Sequence, residues 1–279
     1  MRIPPRYAQN IAVVLLGGAT ALALAILVFI IAFVMVKGMP VVNLKFLVEA
    51  PREMGRSGGI LPTIVGSFIL PLAAIAIALP AGVGTAVYLA EYTLENRITR
   101  IIRIGTDCLA GIPSIIFGLF GFIFFVTVLQ MGWCILSGGL TLAIMILPTI
   151  IRTSEEAIKA VPRSYREVSF SLGATQWETV WKVVLPNALP GIMTGVMLSI
   201  GRSIGETAAV IFTAGAALRL PTSAFDSVRT MAVHFYLLAR EGISLENAYG
   251  TAAVLIISIL LVNTTSYWLM HRFISRRTR

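Results

Sequence analysis

"SIGRSIGETAAV", Ser199 to Val210, sets Arg202 and Glu206 four positions apart inside a run of small and apolar residues from Gly191 to Ala217. That run exceeds the ~20 residues with which an α-helix crosses a bilayer. Read as a membrane span, it carries two charges where charge is costly. Read as the core helix of a soluble domain, it needs polar sequence elsewhere to cover it. The rest of the chain decides between them. Hydrophobic residues make up 57% of the 279 and charged residues 13%, against about 25% charged in an ordinary soluble domain. No long polar segment remains, so the chain reads as an all-α polytopic membrane protein, a single transmembrane domain over 1–279.

Six spans are expected, at about 12–36, 62–89, 107–129, 137–152, 191–217 and 248–270. The first follows "MRIPPR" and ends at Lys37 with no small-residue cleavage site, and its apolar run is longer than a signal-peptide core. It reads as an uncleaved span. The second holds Pro62, Pro71 and Pro80. Membrane helices tolerate such prolines where neighbours satisfy the freed carbonyls, and both a kinked packing helix and a hinge fit.

With the N-terminus inside, fourteen Lys and Arg fall on the cytoplasmic side, among them Arg97, Arg100, Arg103, Arg152, Arg163 and Arg166, against seven outside. Excess basic residues mark cytoplasmic segments. Both termini are therefore placed in the cytoplasm, and the net charge of +9 reports topology, with no part for nucleic acid. Cys108 and Cys134 lie about 26 residues apart in one helical segment, tens of ångströms along an axis, which argues against a disulfide. No Cys/His cluster has metal spacing, and no cofactor is expected.

The largest polar region is the cytoplasmic segment 153–190. Thr153–Glu156, Ser164–Glu167 and Thr175–Glu178 each read S/T-x-x-E, the reciprocal capping pattern of a helix start. Gly173 falls where a short helix after Ser164 should stop. Trp177, Val180, Trp181 and Val184 then recur at helical spacing, and Leu185-Pro186 ends the segment. With Tyr165, Val168 and Leu172 at helical spacing, this element fits either a docking surface for a groove on another protein or a loop packed beneath its own spans.

Glu167, Gly173, Val183, Leu185 and Pro186 match the "EAA" loop of ABC-importer permeases, E-A-A-x3-G-x9-I-x-L-P, with Val168 and Ser169 in place of the alanines and Val183 for the isoleucine. "GIPSIIFGLFG" (Gly111–Gly121), "LPTIIRTSEEAIKAVPRSYREVSFSLGAT" (Leu147–Thr175) and "GRSIGETAAV" (Gly201–Val210) further resemble the phosphate-importer permeases of the PstA type, over about 58–270. The resemblance implies a type I ABC importer permease fold in a prokaryotic plasma membrane. It also implies a heterodimer with a sister permease, PstC, two PstB ATPase subunits, and a periplasmic or lipid-anchored phosphate-binding protein, PstS. The loop would then be a coupling element, with Glu167, Gly173, Tyr165, Val168, Leu172 and Pro186 as its residues. The chain has no G-x-x-x-x-G-K-[ST] stretch for binding ATP, so it is expected not to be an enzyme itself.

Arg202 lies 11 residues beyond Gly191, about 17 Å along a helix and near the midplane of a core ~30 Å thick. An ionisable group there usually faces a bundle interior or a watery path. A structural ion pair with Glu206 is the simpler reading, but a pair buried for stability alone is often no better than a hydrophobic replacement. Guanidinium matches phosphate oxygens two at a time, and Ser203 and Thr207 offer hydroxyls nearby. Arg202, Glu206, Ser203 and Thr207 are thus the expected substrate path. Glu206 has three open roles: holding Arg202, weakening its grip on phosphate, or accepting a proton. Gly201 and Gly205 form G-x-x-x-G, which permits close approach of another helix. An ion-coupled secondary transporter competes, but such proteins often carry an internal repeat and "GRSIGET" has no second copy. Ser114, beside the Gly111-Ile112-Pro113 helix start, is a weaker vestibule candidate. His234 and His271 read as loop or interface residues.

Overall fold

The computed structural model describes the backbone of residues 5–93 and 96–277, and their side chains except those of 5–8, 269–271 and 273–277. Among the described residues, five helices have the length and composition to cross a bilayer: Gln9–Gly38, Leu61–Tyr92, Ile135–Ala160, Gln176–Ile204 and Leu245–Trp268. A bent pair, Arg97–Ala110 and Ser114–Val128, supplies a sixth when counted as one span.

In chain order these elements are α1 (Pro5–Gly38), α2 (Leu44–Val48), the hairpin β1 (Pro51–Arg52) and β2 (Ser57–Gly58), α3 (Leu61–Val87), α4 (Arg97–Ala110), α5 (Ser114–Gly121) and α6 (Ile135–Ala160). There follow α7 (Arg163–Ser171), α8 (Gln176–Thr179), α9 (Leu185–Ile204), α10 (Ala208–Thr213), α11 (Met231–Arg240) and α12 (Leu245–Arg277). Wider π turns extend α3 over Tyr88–Tyr92, extend α5 over Phe122–Val128, and join α8 to α9 over Val180–Val184.

The core is built where α3, α6 and α9 meet. Leu70, Ala74 and Ala78 of α3 pack on Leu142, Met145, Ile146 and Ile150 of α6. Nearer the charged end, Ala86, Ile158, Val184, Ala188 and Ile192 form a second cluster. Between lipid-embedded helices there is little hydrophobic drive, so association depends on close packing of small residues. Gly82 shows this: a β-carbon there would stand 2.7 Å from Ile150 Cγ2. α3 runs as one helix through Pro71 and Pro80. α1 stands apart, touching α12 where Phe33 meets Tyr249 edge-on at 5.9 Å.

Three expected boundaries move. The third span is not one helix over 107–129, because Pro113 disfavours helical backbone at Ile112 and the chain turns by 99° there. The fourth does not end at 152: α6 continues to Ala160, and Thr153, read as a cap, instead donates its hydroxyl to Thr149 O at 2.8 Å within the helix. The fifth is not continuous over 191–217. It begins as far back as Gln176, since the π turn accommodates Pro186 in place of a break, and it stops at Ile204.

Candidate functional site

The opening stretch is the seam between two helices. α9 ends at Ile204 with Gly205 as its C-cap, and α10 starts four residues later at Ala208. Arg202 occupies the last turn of α9, where the carbonyl end of a helix favours a cation. Glu206 Oε1 accepts from Ala209 N at 3.3 Å, where the amide end of α10 favours an anion. Each charge therefore answers a helix terminus. Among the described residues Arg202 and Glu206 form no ion pair with each other, so the i, i+4 pair that competed with the path reading gives way to two charges at separate helix ends.

The four expected path residues do not all face one way. Arg202 is exposed, and Glu206 and Thr207 are half-buried. Ser203 is fully buried, its hydroxyl donating to Ser199 O at 2.8 Å. Neither Gly201 nor Gly205 seats a helix tightly within this chain: a β-carbon at Gly201 would lie 3.5 Å from Asn263 Oδ1, and one at Gly205 would meet only its own backbone. The close approach is made elsewhere. A β-carbon on Gly118 of α5 would come within 2.8 Å of Ala209 Cα, and Gly121 abuts Thr141 and Thr213. These glycines pin α10 beside α5, and Ser114 opens that same helix after the elbow.

Beyond α10 the chain folds back over the start of α6, whose first amides have no partner in their own helix. Cys134 N donates to Thr213 O at 3.2 Å, Ile135 N to Asp226 O at 3.0 Å and Leu136 N to Ala224 O at 3.0 Å. Asp226 holds this return by accepting from the Thr222 and Ser223 amides, which keep its carboxyl below the usual aspartate range. Next, Met231 N donates to Ser67 Oγ at 2.7 Å, bringing α11 onto α3. His234, expected in a loop or interface, lies in this packing at 1% exposure. Its Nδ1 sits 3.3 Å from an Arg229 terminal nitrogen, and burial first, then the Arg229 charge, lowers its pKa to about 4. The side chain of His271 lies outside the described residues.

At the opposite, charge-rich end, α7 and α8 form the expected helix–glycine–helix element. Gly173 adopts φ +82°, a conformation that suits glycine, after α7 ends. Thr175 and Glu178 form the reciprocal box, Glu178 N donating to Thr175 Oγ1 and Thr175 N to Glu178 Oε2. Ser164 and Glu167 form no box, because Pro162 sets the entry and α7 already begins at Arg163. Tyr165, Glu167, Val168 and Leu172 are exposed, Leu172 by 84%, whereas Ser169 is buried and bonded to Thr179 at 2.8 Å. Pro186 is half-buried in the first turn of α9. The apolar stripe splits: Val180 and Val184 are buried, and Trp177 and Trp181 are exposed and lie 5.3 Å apart.

Two residues that sequence reasoning left unassigned organise this end. Arg166 of α7 reaches Glu91 Oε1 at 2.6 Å from Nη2 and both Glu91 oxygens from Nε. It also donates to Ile158 O and Val161 O, closing the end of α6. Gln176 Nε2 donates to Glu91 O at 2.6 Å. The available signal was a glutamate, Glu91, directly after a long apolar run.

A bundle with a broken, charge-capped span and a stiff polar element at its basic end has the form of a membrane permease. The comparisons agree. Residues 78–279 match the family described as binding-protein-dependent transport system inner membrane component. A probable ABC transporter permease, YqgI of Bacillus subtilis, is 34% identical over 95% of each chain. The phosphate transport system permease protein PstA of Pasteurella multocida is 33% identical over 85% of each, and that of Haemophilus influenzae 30% over 85% of this chain and 84% of that one. Among solved structures, an alginate-importing bacterial ABC transporter aligns with a TM-score of 0.64 at 13% identity, over 96% of this chain and 99% of that one. The MetNI methionine transporter aligns with a TM-score of 0.61 at 20% identity, over 77% and 94%.

The chain belongs to the binding-protein-dependent transport system inner membrane component family. It is a multi-pass protein of a prokaryotic inner membrane with the type I ABC importer permease fold, and it is a permease subunit of such an importer.

Proposed function

We propose that the chain is one half of the translocation path of an ATP-driven phosphate importer. It pairs with a PstC-type permease, rests on two PstB-type ATPases and receives phosphate from a PstS-type binding protein. The observation that carries this reading is the exposed guanidinium of Arg202 at the end of α9, free of any carboxylate among the described residues, in a chain whose relatives include phosphate transport permeases. A cation stabilised by a helix end needs no counter-ion, so its planar edges remain available for two phosphate oxygens. Glu206, held by the Ala209 amide, stays off that guanidinium and fixes the start of α10. Thr207 supplies a hydroxyl at the seam, while Ser203 supports α9 from behind.

Coupling to ATP hydrolysis runs through α7. Tyr165, Glu167, Val168 and Leu172 form its exposed face, Gly173 turns the chain after it, and Pro186 lies in the first turn of the helix that continues to Arg202. Hydrolysis belongs to the partner, consistent with the lack of a phosphate-binding loop in this chain.

Uptake of labelled phosphate by vesicles carrying the assembled transporter tests the reading. Arg202→Lys is expected to lose most uptake while retaining ATPase association. Full uptake by that variant, or uptake with no ATPase present, sinks it.

A further inference from the structure

α4 has a face that none of the described residues covers. Thr99 is buried and Ile102, Arg103 and Thr106 are half-buried on one side, turned towards the protein. On the other side Ile98, Ile101, Ile104 and Leu109 are exposed, with Gly105 and Cys108 completing one continuous apolar strip at helical spacing. Two ion pairs with α6 fix the roll of the helix: Arg103 to Glu155 at 2.8 Å, and Asp107 to Arg152. The strip is therefore held outward by the fold.

Its position is fixed as well. α4 meets α5 at 99°, so it lies across the direction of the membrane-crossing helix that follows. Only residues 111–113 separate them, and three residues span at most ~11 Å. The end of α4 thus stays within ~11 Å of the start of the membrane-crossing α5. Arg97 and Arg100 lie on α4 beside the strip, and among the described residues neither makes an ion pair.

We propose that α4 is an in-plane membrane-surface helix. Its strip of Ile98, Ile101, Ile104 and Leu109 sits in the headgroup–acyl boundary of the cytoplasmic leaflet, and Arg97 and Arg100 bind anionic phospholipid headgroups. An amphipathic helix with arginines beside its apolar face suits that boundary. The stems of the arginines extend along the apolar surface while their charges reach the headgroups. A partner protein would be expected to cover the strip without needing two uncompensated cations beside it. The anionic leaflet supplies the complementary charge.

Cys108 lies within the strip and is exposed, whereas Cys134 is fully buried, so a thiol label reports on α4 alone. The assembled transporter, with cysteine-free partner subunits, is labelled there with a fluorophore. It is then placed in vesicles of phosphatidylcholine, with or without phosphatidylglycerol. Strong quenching by a shallow lipid-borne nitroxide and little by aqueous iodide is expected. Arg97→Gln with Arg100→Gln should weaken the preference for phosphatidylglycerol around α4, read by quenching from nitroxide-labelled phosphatidylglycerol, by roughly fivefold per arginine. Quenching mainly by iodide overturns the proposal, as does a label that resists both quenchers or cannot be attached, which would place the sister permease on the strip. An unchanged lipid preference in the double variant overturns the role given to the arginines.

Discussion

Arg166 and Glu91, 75 residues apart, form a half-buried two-pronged ion pair that ties the exposed α7 helix to the end of α3. The side chains are 16% and 10% exposed. Arg166 simultaneously closes the last carbonyls of α6, so one guanidinium joins three helices.

Removing one partner leaves the other charge half-buried and uncompensated, which costs up to about 3 kcal/mol, the low end of the range for a fully buried pair. Arg166→Met is expected to lower the melting temperature of the purified transporter clearly. Glu91→Gln should do so less, because Arg166 then keeps its bonds to Ile158 O and Val161 O. Equal, negligible effects of both on thermal unfolding would show that the pair is ornamental.

Arg202 and Glu206 are expected to behave independently. Glu206→Ala removes a side-chain acceptor at the start of α10, at a cost of about 0.5–2 kcal/mol. Arg202→Gln should add to this with a coupling below ~0.5 kcal/mol in a double-mutant cycle of stability. A coupling well above that value would restore the ion pair.

Gly118→Val inserts side-chain atoms where a β-carbon alone would lie 2.8 Å from Ala209 Cα and 3.0 Å from Ala208 O. The neighbour is backbone and cannot turn aside, so a loss of about 1–3 kcal/mol or more is expected. Gly105→Val, where no atom lies within 4 Å of the added β-carbon, is the control and should cost far less. Comparison of the two variants by detergent-melting profiles checks this.

Gly173→Val should separate association from stability. No atom stands within 4 Å of an added β-carbon, yet φ is +82°, a region that disfavours a β-branched residue by about 1–2 kcal/mol. A loss of ATPase on co-purification, with the permease otherwise intact, is the expected result. Normal co-purification and normal uptake would remove Gly173 from the coupling element.

His234 makes the fold acid-sensitive. Its folded pKa of about 4 lies below the ordinary 6.5, so between those values the unfolded chain binds more protons than the folded one. Stability is accordingly complete above about pH 6.5 and falls as pH drops towards 4, by at most about 3 kcal/mol. His234→Gln should flatten that part of the stability profile, and an unchanged profile refutes the assignment.

Much of this architecture was legible in the residues. Long apolar runs located five crossings and the bent pair that counts as the sixth, and Thr175–Glu178 and Gly173 read correctly because capping and left-handed turns are local chemistry. What escaped depended on events at a distance. The S/T-x-x-E pattern at Thr153 is the same as that at Thr175, yet α6 runs past it, held by the Arg103–Glu155 pair and the Arg166 contacts to its end. Arg202 and Glu206 looked like partners because an unbroken helix was assumed, and the break appears only once α5 holds α10 through Gly118 and Gly121. Ser203 turned inward for the same reason that Ser199 did, each hydroxyl bonding to a carbonyl one turn earlier on the packed side of α9.

The helical run from Gln176 to Ile204 has 29 residues without a break, a rod of about 40 Å at 1.5 Å per residue. A rod is a lever. Tilting it by about 5° about one end carries the other through ~3.5 Å, roughly the reach of one hydrogen bond. Arg202 rides at the far end of this lever, while α10, pinned to α5, does not belong to it. In the importer proposed above, a small rocking at the aromatic end would thus be magnified into making or losing a contact at the seam.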